Sequence, residues 1–150
     1  MMIDKLDEEL IIALSKMGVS LIMFGVECAN PRFQKLRSNE KIEKAKHLVE
    51  IMNRNGIKSY AFYLIGFPEE SEEDFYKTLM LGKYINSTYA KFNVLAPYPG
   101  SPLWSLYVKD INDNGLIFKF NSNDTLNINK NFNLEQLNNF AQHLLNEYKK

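Results

Sequence analysis

Cysteine is almost missing from this 150-residue chain, which contains a single one, Cys28. One thiol excludes an internal disulfide framework, and it excludes any metal site built from several cysteines of one copy of the chain. A surplus of charge is also missing, because 18 basic side chains balance 18 acidic ones at a pI near 6.7. This balance argues against binding of nucleic acid through bulk positive charge, and the sequence gives no clear nucleic-acid signal.

Long apolar segments are missing as well. The longest apolar runs, residues 21–26 and 61–65, are far shorter than the roughly 20 residues that span a bilayer. The start of the chain is rich in acidic residues, whereas a signal peptide has a basic tip and an unbroken apolar stretch. We therefore expect a cytoplasmic protein without a membrane span. The 45% hydrophobic content, with 10 Phe and 8 Tyr, is typical of a folded domain.

Three apolar runs predict buried strands, and each has a helical pattern beside it. The strands are predicted over residues 21–26, 60–65 and 89–95. Helical spacing covers residues 6–17, 40–55 and a third helix that starts at Ser71, in which Phe75, Leu79 and Met80 are expected to face the core. This alternation predicts parallel strands with covering helices, and runs that are apolar on both faces predict strands buried on both sides.

Three parallel strands make an unusually small α/β sheet, because both edges of such a sheet are exposed. We therefore expect a fragment of a larger sheet, namely a partial (β/α) barrel with three parallel strands and covering helices. The predicted domains are residues 1–107, which form this fragment, and residues 108–150, which form an irregular extension that ends in a helix.

The extension is rich in asparagine, with 10 Asn between residues 112 and 139. Such a bias is typical of turns, as at residues 112–115 (NDNG), and we interpret it as a compositional habit rather than a functional feature. An amphipathic helix is predicted from Leu134 onward, with Asn133 as its cap.

Ligands of parallel α/β folds bind beyond the carboxyl ends of the strands, which here are the loops at residues 25–29, 65–70 and 96–100. Glu27 is the strongest candidate, because a carboxylate that follows a buried strand is costly to desolvate unless it binds something. Either it accepts a hydrogen bond from a ligand hydroxyl or amine, or it forms a cap or an ion pair within its loop.

Other residues at these loops allow both a ligand contact and a structural role. Gly66 either lets a flat ligand approach the main chain or is a plain turn glycine. Asn93, which shares a strand face with Lys91, is either a ligand contact inside a barrel or a satisfied buried amide. Glu69 and Glu70 precede a helix, where negative charge favours the helix dipole, and this explanation outweighs a catalytic role.

The remaining candidates favour structural roles. Tyr98 either stacks on a ligand or packs its loop, and Cys28 is expected to be a small buried residue. His47 and His143 have no neighbours at metal-ligand spacing and are expected at the surface. The residues alone thus assign no catalytic residue and no metal ligand, and they indicate a site for a small molecule or a nucleotide.

Four segments near these loops carry a family resemblance, and they are residues 24–27 (FGVE), 55–58 (NGIK), 63–74 (YLIGFPEESEED) and 97–103 (PYPGSPL). In this order and spacing they resemble the second half of the core of radical S-adenosylmethionine (SAM) enzymes. The branch they resemble includes methylthiotransferases and cobalamin-binding radical enzymes. The resemblance implies a partial (β/α)6 barrel, in which the three predicted strands are the fourth to the sixth.

The same resemblance implies cofactor-binding roles. The glutamate of the family's Gly-Val-Glu motif, which Glu27 matches, contacts the ribose or the amino-acid part of SAM. The end of the family's fifth strand lies near the adenine, and the end of the sixth strand provides backbone contacts to it. The matching residues in this chain are Ile65, Gly66 and Phe67, then Leu95 and Ala96, with Asn93 as a further match.

The chain departs from the family most clearly in its cysteines. The family holds a [4Fe–4S] cluster with three thiolates spaced Cys-x3-Cys-x2-Cys, and this chain has neither that motif nor the first three strands. Cys28 does not match the motif. Milder departures are Glu-Cys-Ala at residues 27–29, where the family commonly has Glu-Ser-Gly, and Gly-Phe-Pro-Glu-Glu-Ser at residues 66–71, where it commonly has Gly-Phe-Pro-Gly-Glu-Thr.

We therefore expect the C-terminal portion of a radical SAM enzyme, which supplies part of the adenosine site and of the substrate cavity for 5′-deoxyadenosyl-radical chemistry. The missing N-terminal half would lie in the same polypeptide or in a partner chain, and the isolated chain is expected to be inactive. The resemblance allows cobalamin as a further cofactor, and it leaves the substrate open. The alternatives are a degenerate nucleotide-binding domain, a structural or interaction module, and an unrelated α/β enzyme with Glu27 as its base.

Overall fold

The computed structural model describes residues 3–33, 38–107 and 127–150. Three parallel strands form one open sheet in the order β1–β2–β3, which confirms the expected α/β fold with three parallel strands and flanking helices. The elements are a short 3-10 helix (Ile3–Lys5), α1 (Glu8–Lys16), β1 (Leu21–Glu27), α2 (Asn39–Arg54), β2 (Lys58–Ile65), α3 (Glu72–Ile85), β3 (Tyr89–Val94), α4 (Pro102–Tyr107) and α5 (Leu134–Tyr148). None of these helices is long and apolar enough to cross a membrane.

Two of the predicted helix starts are confirmed in detail. At the start of α3, the Asp74 carboxylate accepts hydrogen bonds from the backbone N–H and the hydroxyl of Ser71. At the start of α5, the Asn133 side chain accepts from the Gln136 backbone, and the Gln136 side chain accepts from the Asn133 backbone. These bonds satisfy backbone donors that the first helical turn leaves without partners.

Alternate strand residues face two different surroundings, because side chains of a strand point to opposite faces of the sheet. One face lies under the helices, and there Phe24, Ala61 and Phe92 are buried. The opposite face, which we call the open face, carries half-buried or exposed side chains: Leu21, Met23, Lys58, Tyr60, Phe62, Leu64, Tyr89, Lys91 and Asn93. The expectation of strands buried on both sides is therefore wrong for the described residues, because the helices among them cover one face only.

The last helix belongs to the layer that covers the sheet. α5 contacts β3 and α3, and it buries Leu137 and Leu144 completely. Near its end, the Tyr148 hydroxyl donates to the backbone carbonyl of Ser87 at 2.6 Å. These contacts join the end of the chain to the start of β3.

The predicted inward face of α3 is correct for Phe75 and Leu79, which are buried, but wrong for Met80, which is 54% exposed. The buried face of α3 continues instead at Gly82, three residues after Leu79. Each helical residue is rotated by about 100° from the one before it, so residues three apart share a face. The side chain of Met80 consequently lies outside this face.

α4 was not predicted from the sequence, because it follows a proline-rich loop and is only six residues long. The turn-rich interpretation of residues 112–115 falls in the range 108–126, which lies outside the described residues. The domain boundary after residue 107 therefore stays a prediction.

Candidate functional site

The carboxyl ends of the three strands lie at one edge of the sheet, and the residues that follow them meet there. Cys28, Phe67 and Leu95 form a buried apolar cluster at this edge, which we call the rim cluster. The Phe33 ring stacks on the Phe67 ring with 4.4 Å between their centroids. The three predicted site loops therefore share one apolar support.

Glu27 ends β1 in a backbone conformation that residues other than glycine rarely adopt. Its backbone φ is +77°, and the pairing of β1 with β2 shifts register between Gly25 and Glu27. A Cβ atom built on Gly25 would lie 2.9 Å from Oε1 of Glu27, so the carboxylate folds back over this glycine on the open face. The bulge and the missing side chain of Gly25 together hold a half-buried carboxylate at the edge of the open face.

Two more side chains of the open face lie level with Glu27. Glu27 is paired with Tyr63 of β2, and the next β2 residue, Leu64, is paired with Asn93 of β3. Neighbouring strands are about 4.8 Å apart, so the backbones of Glu27 and Asn93 are about 10 Å apart across β2. The sequence interpretation missed Leu64, although the alternation along β2 puts it on the same face as Phe62.

The structure places Ile65 and Gly66 against the helix layer. The Ile65 side chain is fully buried, and its carbonyl accepts a hydrogen bond from the Leu95 N–H at 2.8 Å. Gly66 has φ +91°, and a Cβ atom there would lie 3.2 Å from Cδ1 of Leu137 in α5. A turn conformation and close helix packing thus explain the need for glycine at this position.

The loop after β3 brings the last two predicted residues to the same edge. Leu95 is buried in the rim cluster, and Ala96 after it is half-buried. Tyr98 is 51% exposed. The cofactor roles that the sequence predicts for Ile65, Gly66, Phe67, Leu95 and Ala96 stay predictions.

Glu70 has a structural importance that the sequence interpretation missed. Only 1% of the residue is exposed, and its Oε2 accepts hydrogen bonds from the backbone N–H groups of Gly66 at 2.9 Å and Phe67 at 3.0 Å. Its Oε1 is buried and has no hydrogen-bond partner among the described residues. Burial raises the pKa of the Glu70 carboxyl to about 7.

Glu69, its neighbour in sequence, lies on the outside of the same loop. Its carboxylate forms ion pairs with Arg32 and, at 3.5 Å, with Lys130. The hydrogen bond from Arg32 lowers the pKa of the Glu69 carboxyl. The contacts of Glu69 tie together the loops after β1 and β2, whereas the Glu70 carboxylate bonds within its own loop. The helix-dipole explanation given for both glutamates stays a prediction.

The thiol of Cys28 does not resemble a reactive group or a metal ligand. It is fully buried, and burial together with the nearby Glu70 carboxylate raises its pKa to about 12. Among the residues that the structure describes, no three His, Cys, Asp or Glu side chains are grouped to hold a metal ion. His47 and His143 are exposed, as predicted.

Comparison with known proteins assigns this chain to a family. The family model described as the Radical SAM superfamily matches residues 2–82, which is more than half of the 150 residues. The match covers β1 with Glu27, β2 with the Gly66–Phe67 turn, and most of α3.

Individual relatives agree with this match. An uncharacterized methyltransferase of Pyrococcus horikoshii is 27% identical over 103 residues, or 68% of this chain and 22% of that protein. The tRNA-2-methylthio-N(6)-dimethylallyladenosine synthase of Buchnera aphidicola is 31% identical over 87 residues, or 56% of this chain and 20% of that protein. The anaerobic magnesium-protoporphyrin IX monomethyl ester cyclase of Rubrivivax gelatinosus is 24% identical over 115 residues, or 76% of this chain and 20% of that protein.

The chain thus spans about a fifth of the length of the curated relatives that it matches. The family match includes the bulged strand end with Glu27 as well as the turn that Glu70 holds. On these grounds the chain belongs to the radical SAM superfamily.

Proposed function

We propose that this chain supplies the C-terminal half of a radical SAM core, with Glu27 as a ligand of the SAM adenosine or amino-acid group. Membership in the superfamily implies SAM and a [4Fe–4S] cluster for the complete enzyme. When bound together, they supply the radical that such an enzyme uses on its substrate.

The observation that carries the proposal is the conformation of Glu27. A non-glycine residue at φ +77° is strained by about 1–3 kcal/mol, and such strain clusters at functional sites. The strained backbone holds the carboxylate over Gly25 at the edge of the open face. A carboxylate in this position is an acceptor suited to the hydroxyl groups of a ribose or to an ammonium group.

The neighbouring residues fit a nucleoside-like ligand. Asn93 offers an amide on a strand whose backbone lies about 10 Å from that of Glu27 across β2, and Leu64 between them offers an apolar contact. The backbone of Leu95 and Ala96 begins the next loop and is the proposed contact for the adenine. Ile65, Gly66 and Phe67 are proposed to support this pocket through the β2 turn.

The residues present do not fit the iron–sulfur cluster. The sequence has one cysteine, and that thiol is buried in the rim cluster with a raised pKa. We propose that the cluster ligands come from an N-terminal half, in the same polypeptide or in a partner chain. The isolated chain is accordingly proposed to be inactive and to bind SAM weakly, since half of the site is absent. A cytoplasmic location and a role for cobalamin stay predictions.

A structural or interaction module is the second candidate. In the described sheet, β1 and β3 each pair with one strand only, so each leaves one edge without a strand partner. An edge of this kind pairs readily with another chain. A partner that joined the edge without any SAM binding by the complex would favour this candidate.

The test uses the complete enzyme, in which the N-terminal half is present. Substitution Glu27→Gln should weaken SAM binding about 10- to 100-fold, because it removes a charge-assisted hydrogen bond. Iron content should stay at the wild-type level. Calorimetry measures the affinity, and iron analysis of the same samples measures the cluster.

The matched control is Glu40→Gln, an equal loss of charge on the exposed first turn of α2. This variant should bind SAM as the wild type does. Loss of iron from the Glu27→Gln variant, or unchanged SAM affinity, would show that the assigned role of Glu27 is wrong.

A further inference from the structure

The asparagine-rich extension contains a segment that packs over the β2 turn. This segment, residues 127–132, lies directly before α5, and we call it the asparagine strap. Its central side chain, Asn129, is only 9% exposed. Its Oδ1 accepts from the backbone N–H groups of Asn131 at 2.8 Å and Phe132 at 2.9 Å, so the strap holds its own shape.

The strap donates hydrogen bonds to three carbonyl groups of the β2 turn. The Asn129 amide donates to the carbonyl of Phe67 at 2.6 Å and to that of Glu70 at 3.3 Å. The Asn131 amide donates to the Glu70 carbonyl at 3.0 Å. The backbone N–H of Lys130 donates to the carbonyl of Pro68 at 3.0 Å. These donors provide hydrogen-bond partners for backbone carbonyl groups of a largely buried turn.

The turn is therefore held from two sides. On one side the Glu70 carboxylate accepts from the N–H groups of Gly66 and Phe67. On the other side the strap donates to the carbonyls that follow. Side-chain partners thus bind both the N–H donors and the carbonyl acceptors of one short loop.

Two further contacts seat the strap at the strand ends. Ile128 packs against the rim cluster. Lys130 and Arg32 both pair with Glu69, which joins the strap to the loops after β1 and β2. The asparagines at positions 129 and 131 therefore have definite partners, and a compositional habit does not account for them.

We infer that the asparagine strap positions the Gly66–Phe67 turn for SAM, and that Asn129 is the positioning residue. The inference rests on the proposed function, because the turn would support the adenosine pocket only if the chain binds SAM. Asn129 does not touch the ligand in this scheme. It limits the motion of the Phe67 backbone, and hence of the apolar cluster on which the pocket stands.

The test is Asn129→Asp, which keeps the oxygen that accepts from Asn131 and Phe132 but removes both donors to the turn. Asn139→Asp, on the exposed side of α5, is the control for the added charge. Asn131→Asp removes one bond only and serves if Asn129→Asp does not fold. Hydrogen exchange of this chain is measured by mass spectrometry on peptides that cover the β2 turn and α5.

Exchange at the turn should accelerate about tenfold in Asn129→Asp and less in Asn131→Asp, with α5 unchanged. In the complete enzyme, the KM for SAM should rise about tenfold while kcat stays within about twofold. Unchanged exchange at the turn, or equal acceleration in α5, would overturn the inference. Faster exchange with an unchanged KM would overturn it too. Failure of the wild-type enzyme to bind SAM would instead refute the proposed function together with this role, whatever the exchange shows.

Discussion

The end of β1 and the loop after β2 each place a glutamate close to a glycine, yet the two carboxylates have opposite surroundings. Glu27 lies at the edge of the open face, half-buried, with its backbone at φ +77°. Glu70 is almost fully buried and accepts from the N–H groups of its own loop. At the end of β1 the backbone is strained and the Glu27 side chain lies at the edge of the open face, whereas in the loop after β2 the Glu70 side chain stabilises the backbone.

This difference separates the binding role proposed for Glu27 from the supporting role of Glu70 by physical criteria. A carboxylate that satisfies buried N–H groups contributes to the folded state, and its removal costs stability. A carboxylate on a strained residue costs stability in the free protein, and this cost is retained where binding requires it. Substitutions at the two loops should therefore have opposite effects on stability and on SAM affinity.

The largest expected effect is a pH dependence of stability that comes from Glu70. The pKa of its carboxyl is about 7 in the folded protein against an ordinary value of 4.5, so the unfolded chain releases the proton first as the pH rises. Stability should then fall as the pH rises from about 4.5 through about 7, by up to about 3 kcal/mol. Glu70→Gln cannot titrate, so its loss of stability over this range should be smaller by that amount.

Urea unfolding of both proteins at a series of pH values checks this prediction, with Glu69→Gln as a control. The Glu69 carboxyl has a lowered pKa and is more exposed, so its removal should leave the slope between about pH 5 and 7 in place. Parallel curves for the wild type and Glu70→Gln would mean that the Glu70 carboxylate is solvated. The contrast with Glu27 would then disappear.

Much of the fold could be predicted because it follows local patterns. The three predicted strands agree with β1, β2 and β3 to within two residues at each end. The caps at Ser71 and Asn133 were also found, since a cap depends on residues three positions apart. Glu27 was singled out for its place after an apolar run, but its positive φ depends on the bulge, which sequence spacing does not reveal.

The contacts that the sequence interpretation missed join residues far apart in the chain. Glu69 and Glu70 look equivalent before a helix, and only the curl of the β2 turn buries one and exposes the other. The bond from Asn129 to Phe67 spans 62 positions, so no local pattern indicates it. The composition shows that the extension is rich in asparagine, but it does not distinguish the asparagines that hydrogen-bond to the β2 turn from those that do not.

The next largest effect compares the two glycines. Gly66→Ala should lower stability by about 2 kcal/mol, because φ is +91° and the new Cβ would lie 3.2 Å from Leu137. Gly25→Ala should change stability by less than about 0.5 kcal/mol, since its Cβ would meet only the movable carboxylate of Glu27. SAM affinity of the complete enzyme should fall in Gly25→Ala. Equal destabilisation by both substitutions, measured by urea unfolding, would mean that the β1 bulge is as rigid as the β2 turn.

A smaller change in stability than that of Gly66→Ala, and the sharpest test of the comparison, is expected for Glu27→Gly. Glycine adopts φ +77° without a Cβ penalty, so the variant should gain up to about 1 kcal/mol in the free energy of unfolding while the complete enzyme loses affinity for SAM. Glu27→Gln retains the strained backbone and should lose affinity without the gain, which separates the strain from the charge. A Glu27→Gly variant that is less stable than the wild type would show that the carboxylate's contacts in the free protein outweigh the strain. Glu27 would then be a supporting residue of the same kind as Glu70. Asn93 and the backbone after β3 would be the remaining candidates for SAM binding.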